Sequence, residues 1–226
     1  TNSDLKIARC TDYFCMNSII RTVDSDVVTG PTSITVTPDG FPIIAYRNGA
    51  GDLKVAYCNA DDCSSTYTIS IVEDSTVVGS YLSMTIGADG FGIISYYDST
   101  NQDLKVAHCS DKKCTTSSKF TIATTDNSGE HNSIIIGSDG LPIIAYSQKS
   151  TSSGFNYLKT AHCSNVLCDT ATIASAMRSA YPIDLYTSIA IGTDGLPIIS
   201  YHDEDLGTLK VYHCANTLCG SYRRGR

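Results

Sequence analysis

No run in this 226-residue chain is apolar for long enough to cross a bilayer, so a membrane span is not expected. Basic residues are scarce: Lys and Arg total 16 against 23 Asp and Glu, a formal net charge of -7. That balance argues against a nucleic-acid partner, which favours a basic stripe. No N-x-S/T triplet occurs, so N-glycosylation is not expected, although Ser/Thr-rich stretches such as SQKSTSSG leave O-linked sugars open. Helical periodicity is missing; only TATIASAMRSA is ambiguous, and its first half aligns with strands elsewhere. G-x-S-x-G, a zinc signature and a phosphate-binding loop are all absent, and no cofactor or metal is expected.

Cysteine, by contrast, is plentiful. The ten cysteines fall as five C-x4-C pairs: Cys10/Cys15, Cys58/Cys63, Cys109/Cys114, Cys163/Cys168 and Cys214/Cys219. Such regular pairing suggests an oxidising, extracellular compartment. At a strand end this spacing fits a disulfide clipping a hairpin, each worth about 2 kcal/mol on the chain-entropy account. Zinc is the rival reading, but zinc pairs usually use C-x2-C with a second pair nearby. The ends also fit secretion. TNSDLKIARC is polar, like a mature or processed N-terminus. Residues 221–226 form a basic tail whose Arg223, Arg224 and Arg226 resemble a furin-type processing site, with an ordinary solvated tail as the alternative.

Two phrases recur. SDGLPIIAY at 138–146 returns as PDGFPIIAY at 38–46, ADGFGIISY at 88–96 and TDGLPIISY at 193–201. Each is followed by a relative of DLKVAYCNADDC, 52–63, and a fifth copy, DLKIARCTDYFC, opens the chain at 4–15. Asp-Gly recurs at spacings of 50, 50 and 55 residues, a propeller-blade period.

Each repeat divides into four strand-like pieces. Piece A alternates, as in SITVT at 33–37; piece B is continuously apolar, as in PIIAY. Piece C is LKVAYC or a relative, and piece D, such as TYTISIVED, follows the C-x4-C loop. Asp-Gly supplies a tight A–B turn. Four-stranded units at this period stack radially, which predicts one all-β domain over 1–226, a β-propeller of four to five blades. The tally is uneven: four A, four B, five C and four D, seventeen in all. Joining the ends gives four complete blades and a surplus C; alternatively one of five blades lacks A and B. Either way an open strand edge is expected, and open edges invite another chain.

The pattern S-x5-D-G-x-P-x-I-x-Y followed by D-L-K-x-A resembles secreted short-repeat β-propellers, broadly similar to the sialidase-like superfamily. The resemblance covers almost the whole chain. It implies architecture and says little about activity, because that fold hosts many functions. The Asp-box of many such proteins, S-x-D-x-G-x-x-W, is absent, for the chain has no Trp. A sialidase-like catalytic set would need three clustered arginines and a Tyr–Glu pair. Outside the tail the arginines are Arg9, Arg21, Arg47 and Arg178, at four different repeat positions. The glutamates, Glu73, Glu130 and Glu204, adjoin no repeat tyrosine in a way that suggests activation. The acidic run HDEDLG at 202–207 lacks calcium-loop spacing. No catalytic residue is assigned and an enzyme is not expected.

Candidate ligand residues follow the B strands. Arg47, Asn48, Tyr97, Asp98, Ser147, Gln148, His202 and Asp203 vary between repeats and occupy B–C loops that emerge on one end of a propeller. Ordinary loop drift also explains that variation. Lys6, Lys54, Lys105, Lys159 and Lys210 recur after leucine, either as cationic pockets for carboxylates or sulfated glycans or as stems packed on a neighbouring blade. Tyr46, Tyr96, Tyr146 and Tyr201 end the B strands, as a sugar-stacking platform or as inter-blade core. His108, His162 and His213 precede a cysteine pair where Arg9 and Tyr57 stand in other copies, so a structural, edge-exposed role is expected over metal binding. The expectation is a secreted, non-enzymatic module that associates with other copies of itself through the incomplete blade, into a fibre or matrix. A lectin-like propeller with several weak glycan sites is the alternative. A sialidase-type hydrolase is the third reading.

Overall fold

Ile, Val, Thr and Tyr, which favour pleated strands, dominate the repeats. In the computed structural model they form seventeen strands; it describes residues 3–220 apart from 27, 65, 76, 179–185, 204 and 205. The basic tail, 221–226, and Glu204 lie outside the described residues.

The strands form five antiparallel sheets in chain order. The first holds β1 (Leu5–Cys10) and β2 (Ser18–Asp24). The second holds β3 (Val28–Val36), β4 (Pro42–Asn48), β5 (Leu53–Cys58) and β6 (Tyr67–Glu73). The third holds β7 (Val78–Ile86), β8 (Gly92–Asp98), β9 (Asp103–Cys109) and β10 (Ser117–Ala123). The fourth holds β11 (Asn127–Ile136), β12 (Pro142–Lys149), β13 (Asn156–Cys163) and β14 (Ala171–Arg178). The fifth holds β15 (Thr187–Ile191), β16 (Pro197–Asp203) and β17 (Thr208–His213). The two ends do not merge into one blade. β17 already fills the C position beside β16, so β1 has no place in that sheet.

The A strands of successive sheets pack on one another, β3 on β7, β7 on β11 and β11 on β15. That is the radial stacking of a propeller. The core lies between sheets rather than within one. Ile43 and Val55 meet Met84 and Ile94, Leu104 and Val106 meet Ile134 and Ile144, and Ala145 and Leu158 meet Ile189 and Ile199. A B strand is covered on both faces, which is why PIIAY shows no alternation and Gly92–Asp98 is buried throughout. The serine that opens each A phrase fastens blade to blade. The hydroxyls of Ser33, Ser83 and Ser133 accept the backbone N–H of Met84, Ile134 and Ile189 at 3.0, 3.3 and 3.3 Å.

In the A–B turns only the glycine takes positive φ, +87° at Gly40 and +85° at Gly90, so the loop is a three-residue type with the glycine left-handed. The preceding aspartate then reaches across to the C strand. Asp39 accepts the Tyr57 hydroxyl at 2.8 Å, and Asp89, Asp139 and Asp194 lie 2.9, 2.9 and 3.0 Å from His108, His162 and His213 Nε2.

All ten cysteines form the five expected disulfides, Cys10–Cys15, Cys58–Cys63, Cys109–Cys114, Cys163–Cys168 and Cys214–Cys219, with Cα–Cα separations between 4.7 and 5.0 Å. No free cysteine remains, which closes the zinc alternative. The placement of the second cysteine differs from a strand-to-strand clip. Across the C–D ladder the partners of Cys10, Cys58, Cys109 and Cys163 are Ser18, Tyr67, Ser117 and Ala171. A sequence separation of 5 is too short to reach them. Cys15, Cys63, Cys114 and Cys168 therefore stand in the turn, before the D strand begins, and each bridge ties the end of a C strand to its own turn. Cys219 occupies the same turn position after β17. The backbone N–H groups of Cys15, Cys63, Cys114, Cys168 and Cys219 donate to the carbonyls of Asp12, Ala60, Asp111, Asn165 and Asn216 at 3.0–3.1 Å. Their φ values are +54°, +53°, +55°, +56° and +56°. A non-glycine residue resists that conformation by roughly 1–2 kcal/mol, and the disulfide holds it there. Disulfides of this number belong to an oxidising environment. Among the described residues no helix is long and apolar enough to cross a membrane.

Two sheet faces near the ends of the array, one on the second sheet and one on the fifth, carry exposed apolar side chains. Ile34 and Val36 on β3 are 56% and 58% exposed, because the first sheet has no A or B strand to set against them. Leu209 and Val211 on β17 are 77% and 63% exposed.

Candidate functional site

The A strands do not begin as regular strands. Their pairing with the B strands slips between Val28 and Thr32, between Val78 and Leu82, and between Ser128 and Ser133. Bulges of this kind turn side chains out of the sheet and recur beside functional sites. Here they carry one repeat position, two residues before the fastening serine, to the mouth where the inner strands start. That position is Pro31, Tyr81, His131 and, just before β15, Tyr186. Their rings form an arc. Tyr81 and Tyr186 each lie 4.1 Å from His131, centroid to centroid, at tilts of 50° and 55°. Tyr97 extends the arc at 6.0 Å from Tyr81, and His202 extends it at 6.5 Å from Tyr186. Pro31, Leu82, Asn132 and Thr187 complete a cleft of about 120 Å³ beside these rings.

The arc is held firmly from behind. Asn132 donates to Tyr81 O at 3.1 Å and Gly129 O at 2.9 Å, and accepts from Ser95 Oγ at 2.6 Å. Thr187 Oγ1 donates to the His131 carbonyl. Gly129 sits at φ +108° with Leu104 Cα 2.8 Å from where a Cβ would stand, a close approach only glycine permits. Of the arc, Tyr186 presents the most surface, at 57% exposure.

The eight residues chosen from sequence divide by strand parity. Arg47, Tyr97, Ser147 and His202 turn toward the A-strand starts: Arg47 packs along Gly30 and Gly79, Ser147 pairs in register with Glu130, and Tyr97 and His202 end the arc. Asn48, Asp98, Gln148 and Asp203 point the other way and are buried. They brace their own loops. Asn48 donates to Asp52 at 2.9 Å, Asp98 accepts from Asn101 at 2.9 Å, Gln148 donates to Thr125 O at 2.9 Å, and Asp203 pairs with Lys210. Of the eight, Tyr97 and His202 belong to the arc. Sequence reasoning missed Tyr81, His131 and Tyr186 as a set, although a repeat alignment extended two residues upstream of each serine would have revealed them.

The electrostatics of the mouth are mild. Burial first, then the charge of Glu130, pushes the Tyr97 hydroxyl up to about 12. A nucleophilic phenolate would need the opposite shift. The other arginines are engaged away from the arc: Arg9 with Asp61 at 2.8 Å, Arg21 with Asp62 at 3.8 Å, and Arg178 over the Phe155 ring at 4.6 Å. Among the described residues no group of three or more His, Cys, Asp or Glu side chains is arranged to hold a metal.

The repeat tyrosines and lysines lie further out, between blades. Tyr46, Tyr96 and Tyr146 are fully buried, as inter-blade core would be. Tyr46 donates to Asp24 of the preceding sheet, and Lys54 lies 3.7 Å from the same carboxylate. Lys105 stands 3.5 Å from Glu73.

No protein-family model matches this sequence, and no curated protein does. Solved structures do match. The Hadza microbial sialidase Hz136 superposes with a TM-score of 0.65 at 12% identity, over 91% of this chain and 49% of that one. The intramolecular trans-sialidase from Ruminococcus gnavus gives 0.59 at 15%, over 92% and 50%. An α-L-arabinanase from Penicillium chrysogenum gives 0.57 at 13%, over 85% and 66%. The chain has the fold of the sialidase and arabinanase propellers. It spans about half the length of the two sialidase chains. At these identities the likeness carries the propeller architecture and nothing of the chemistry.

Proposed function

We propose that this propeller is a secreted, non-enzymatic module that binds carbohydrate at the mouth of its inner strands. The supporting observation is the aromatic arc Tyr97–Tyr81–His131–Tyr186–His202, in which Tyr81, His131 and Tyr186 share one repeat position and Tyr97 and His202 come from the ends of B strands. Sugar rings present C–H faces that pack on aromatic rings, and polar groups beside the rings fix orientation. His202, at the end of the arc, supplies such a group. The elevated Tyr97 and the scattered arginines favour binding over hydrolysis. Carbohydrate-active neighbours of the same fold make the ligand class reasonable, though their substrates are their own.

The test is a glycan array followed by titration of any hit. Tyr186→Ala should weaken binding by at least about tenfold while leaving the melting temperature unchanged, since Tyr186 is exposed. Signals at background, or a Tyr186→Ala protein that binds as well as the parent, would refute the proposal. Release of reducing sugar from a hit would refute its non-enzymatic part.

The exposed apolar side chains near the ends of the array favour a second reading, association with another copy. The first sheet supplies C and D strands and the last supplies A, B and C; Ile34 and Val36 are exposed on the second sheet, where the first lacks A and B strands, and Leu209 and Val211 are exposed on the last. A head-to-tail contact of this type extends without closing. Sedimentation over a concentration series distinguishes it: Leu209→Glu with Val211→Glu should abolish any growth in mass, and a protein monomeric throughout rules the reading out.

A further inference from the structure

Nearly every lysine of the Leu-Lys pairs that faces a preceding sheet is answered by a carboxylate of this chain. The exception lies in the fourth sheet. Each D strand carries a bulge opposite the Leu-Lys pair of its own sheet, so that Leu5 pairs with Asp24, Leu53 with Glu73, Leu104 with Ala123 and Leu158 with Met177. These four residues are equivalent, and each faces the tyrosine and lysine of the next sheet. Asp24 takes the Tyr46 hydroxyl and lies near Lys54; Glu73 lies beside Tyr96 and 3.5 Å from Lys105. Met177 fills its place and accepts the Tyr201 hydroxyl at 3.1 Å. Ala123 does neither for Tyr146 and Lys159.

A second source of charge is missing from the same blade. The repeat position two residues after the B-strand tyrosine is Asp98 in the third sheet, 3.6 Å from Lys105, and Asp203 in the fifth, paired with Lys210; in the second it is Asn48, where Asp26 pairs with Lys54 at 2.8 Å instead. In the fourth it is Gln148, which is neutral. Asp126 is committed to Thr151, accepting from its Oγ1 at 2.7 Å and its N–H at 3.2 Å. Among the described residues Lys159 forms no ion pair; its Nζ sits 5.3 Å from the Tyr157 ring centroid. A cavity of about 230 Å³ lies at this place, lined by Ala123, Thr125, Ser128, Tyr146, Gln148 and Lys159 among others.

We propose that this cavity binds a small organic carboxylate, which occupies the place taken by Asp24 and Glu73 in the two preceding interfaces. The carboxylate accepts from Lys159 Nζ and the Tyr146 hydroxyl, as Asp24 accepts from Tyr46 beside Lys54. The volume leaves room for a few heavy atoms beyond the carboxyl group, since a water occupies about 30 Å³ of liquid. Partial burial holds the Lys159 ammonium below the usual lysine range, with Asp126 opposing that shift, so an anion that re-pairs the ammonium is favoured there. None of the arc residues Tyr81, His131 or Tyr186 lines this cavity, so the site stands or falls independently of carbohydrate binding at the mouth.

The probe is acetate, titrated into the full chain against chloride and methanesulfonate at matched ionic strength, with binding read by saturation-transfer NMR and by melting temperature. Acetate should bind saturably, with an affinity of about a millimolar for one ion pair and one hydrogen bond, and should raise the melting temperature. Lys159→Met should weaken it by at least about tenfold. Ala123→Asp rebuilds the arrangement of the first interface. It should melt at or above the parent temperature and no longer respond to acetate, so its loss of binding is not loss of fold. An Ala123→Asp protein that binds acetate like the parent, no saturable response in the parent, or an equal response to chloride would each overturn the assignment.

Discussion

Glu73→Gln measures how much an inter-blade carboxylate stabilises this propeller. The Glu73 side chain is 3% exposed, accepts from Ser75 N and Oγ at 3.1 and 2.6 Å, and has Lys105 and Lys119 each at 3.5 Å. Burial opposes its ionisation. The Ser75 hydrogen bonds and the charges of Lys119 and Lys105 outweigh burial and hold the carboxyl at about 2, against an ordinary 4.5. A folded-state value below the unfolded one stabilises the fold above the unfolded value, and that contribution is lost as pH falls toward the folded value. The whole shift corresponds to about 3 kcal/mol. Lys119 is 39% exposed and therefore screened, so about 2 kcal/mol is expected. Gln keeps the shape and an acceptor for Ser75 while removing the charge. Denaturant unfolding with disulfides intact should find Glu73→Gln less stable by about 2 kcal/mol near neutral pH, a melting shift of roughly 4–8 °C. The gap between variant and parent should shrink as pH falls from about 4.5 toward 2. A gap that stays constant across that window would refute the charge argument, and a gap under about 0.5 kcal/mol at neutral pH would refute the magnitude.

Two further outcomes follow from the geometry. Gly129→Ala should cost about 2–3 kcal/mol in thermal unfolding, because the new Cβ meets Leu104 Cα at 2.8 Å at a φ of +108°. Replacing Cys109 and Cys114 together by Ala should cost about 2 kcal/mol or slightly less, since residue 114 is freed from its left-handed conformation when the short loop opens.

Much of this architecture was legible in the repeats. Period, strand tally, B-strand burial and cysteine pairing are all local, and each is set by chemistry that acts within one hairpin. The inter-blade reading of Tyr46, Tyr96 and Tyr146 also follows from position, because a tyrosine ending a doubly buried strand has nowhere else to lie. His108, His162 and His213 each reach the turn aspartate of their own sheet, a structural place shared with Tyr57, but only His213 is exposed as expected; His108 is buried because the next sheet covers it. The left-handed backbone at Cys15, Cys63, Cys168 and Cys219 was not legible, because nothing in a C-x4-C spacing states where the D strand begins. What else escaped sequence reasoning sits at bulges. A bulge adds one residue to a strand and inverts the period-two pattern beyond it. Reading the A strands from the serine therefore stopped short of Tyr81, His131 and Tyr186. In the D strands, matching IVED at 71–74 to ATTD at 123–126 by their final aspartates sets Thr125 against Glu73. The ladder instead makes Ala123 its equivalent, through the paired leucines Leu53 and Leu104.

The misalignment matters because repeat proteins carry their own controls. A residue kept in several copies serves the interface those copies share, and the energetic worth of each part can be read from what its neighbours supply. Tyrosine, lysine and an acid form one such unit: the tyrosine hydroxyl needs an acceptor once buried, the ammonium needs an anion once partly desolvated, and a single carboxylate meets both needs. Where Met177 replaces the acid, the demand is met by a thioether for the tyrosine and by Asp203 for the lysine. Substitution elsewhere therefore comes with compensation, and the fold tolerates losing the acid only when another group takes over. The fourth sheet keeps Tyr146 and Lys159 yet supplies neither replacement, leaving solvent or a ligand as the remaining source of an acceptor. Lys159 stays without the acid, its partly buried ammonium having the Tyr157 ring and the charge of Asp126 in place of an ion pair. Its retention beside a cavity, rather than the cavity itself, is the observation behind the proposed carboxylate site.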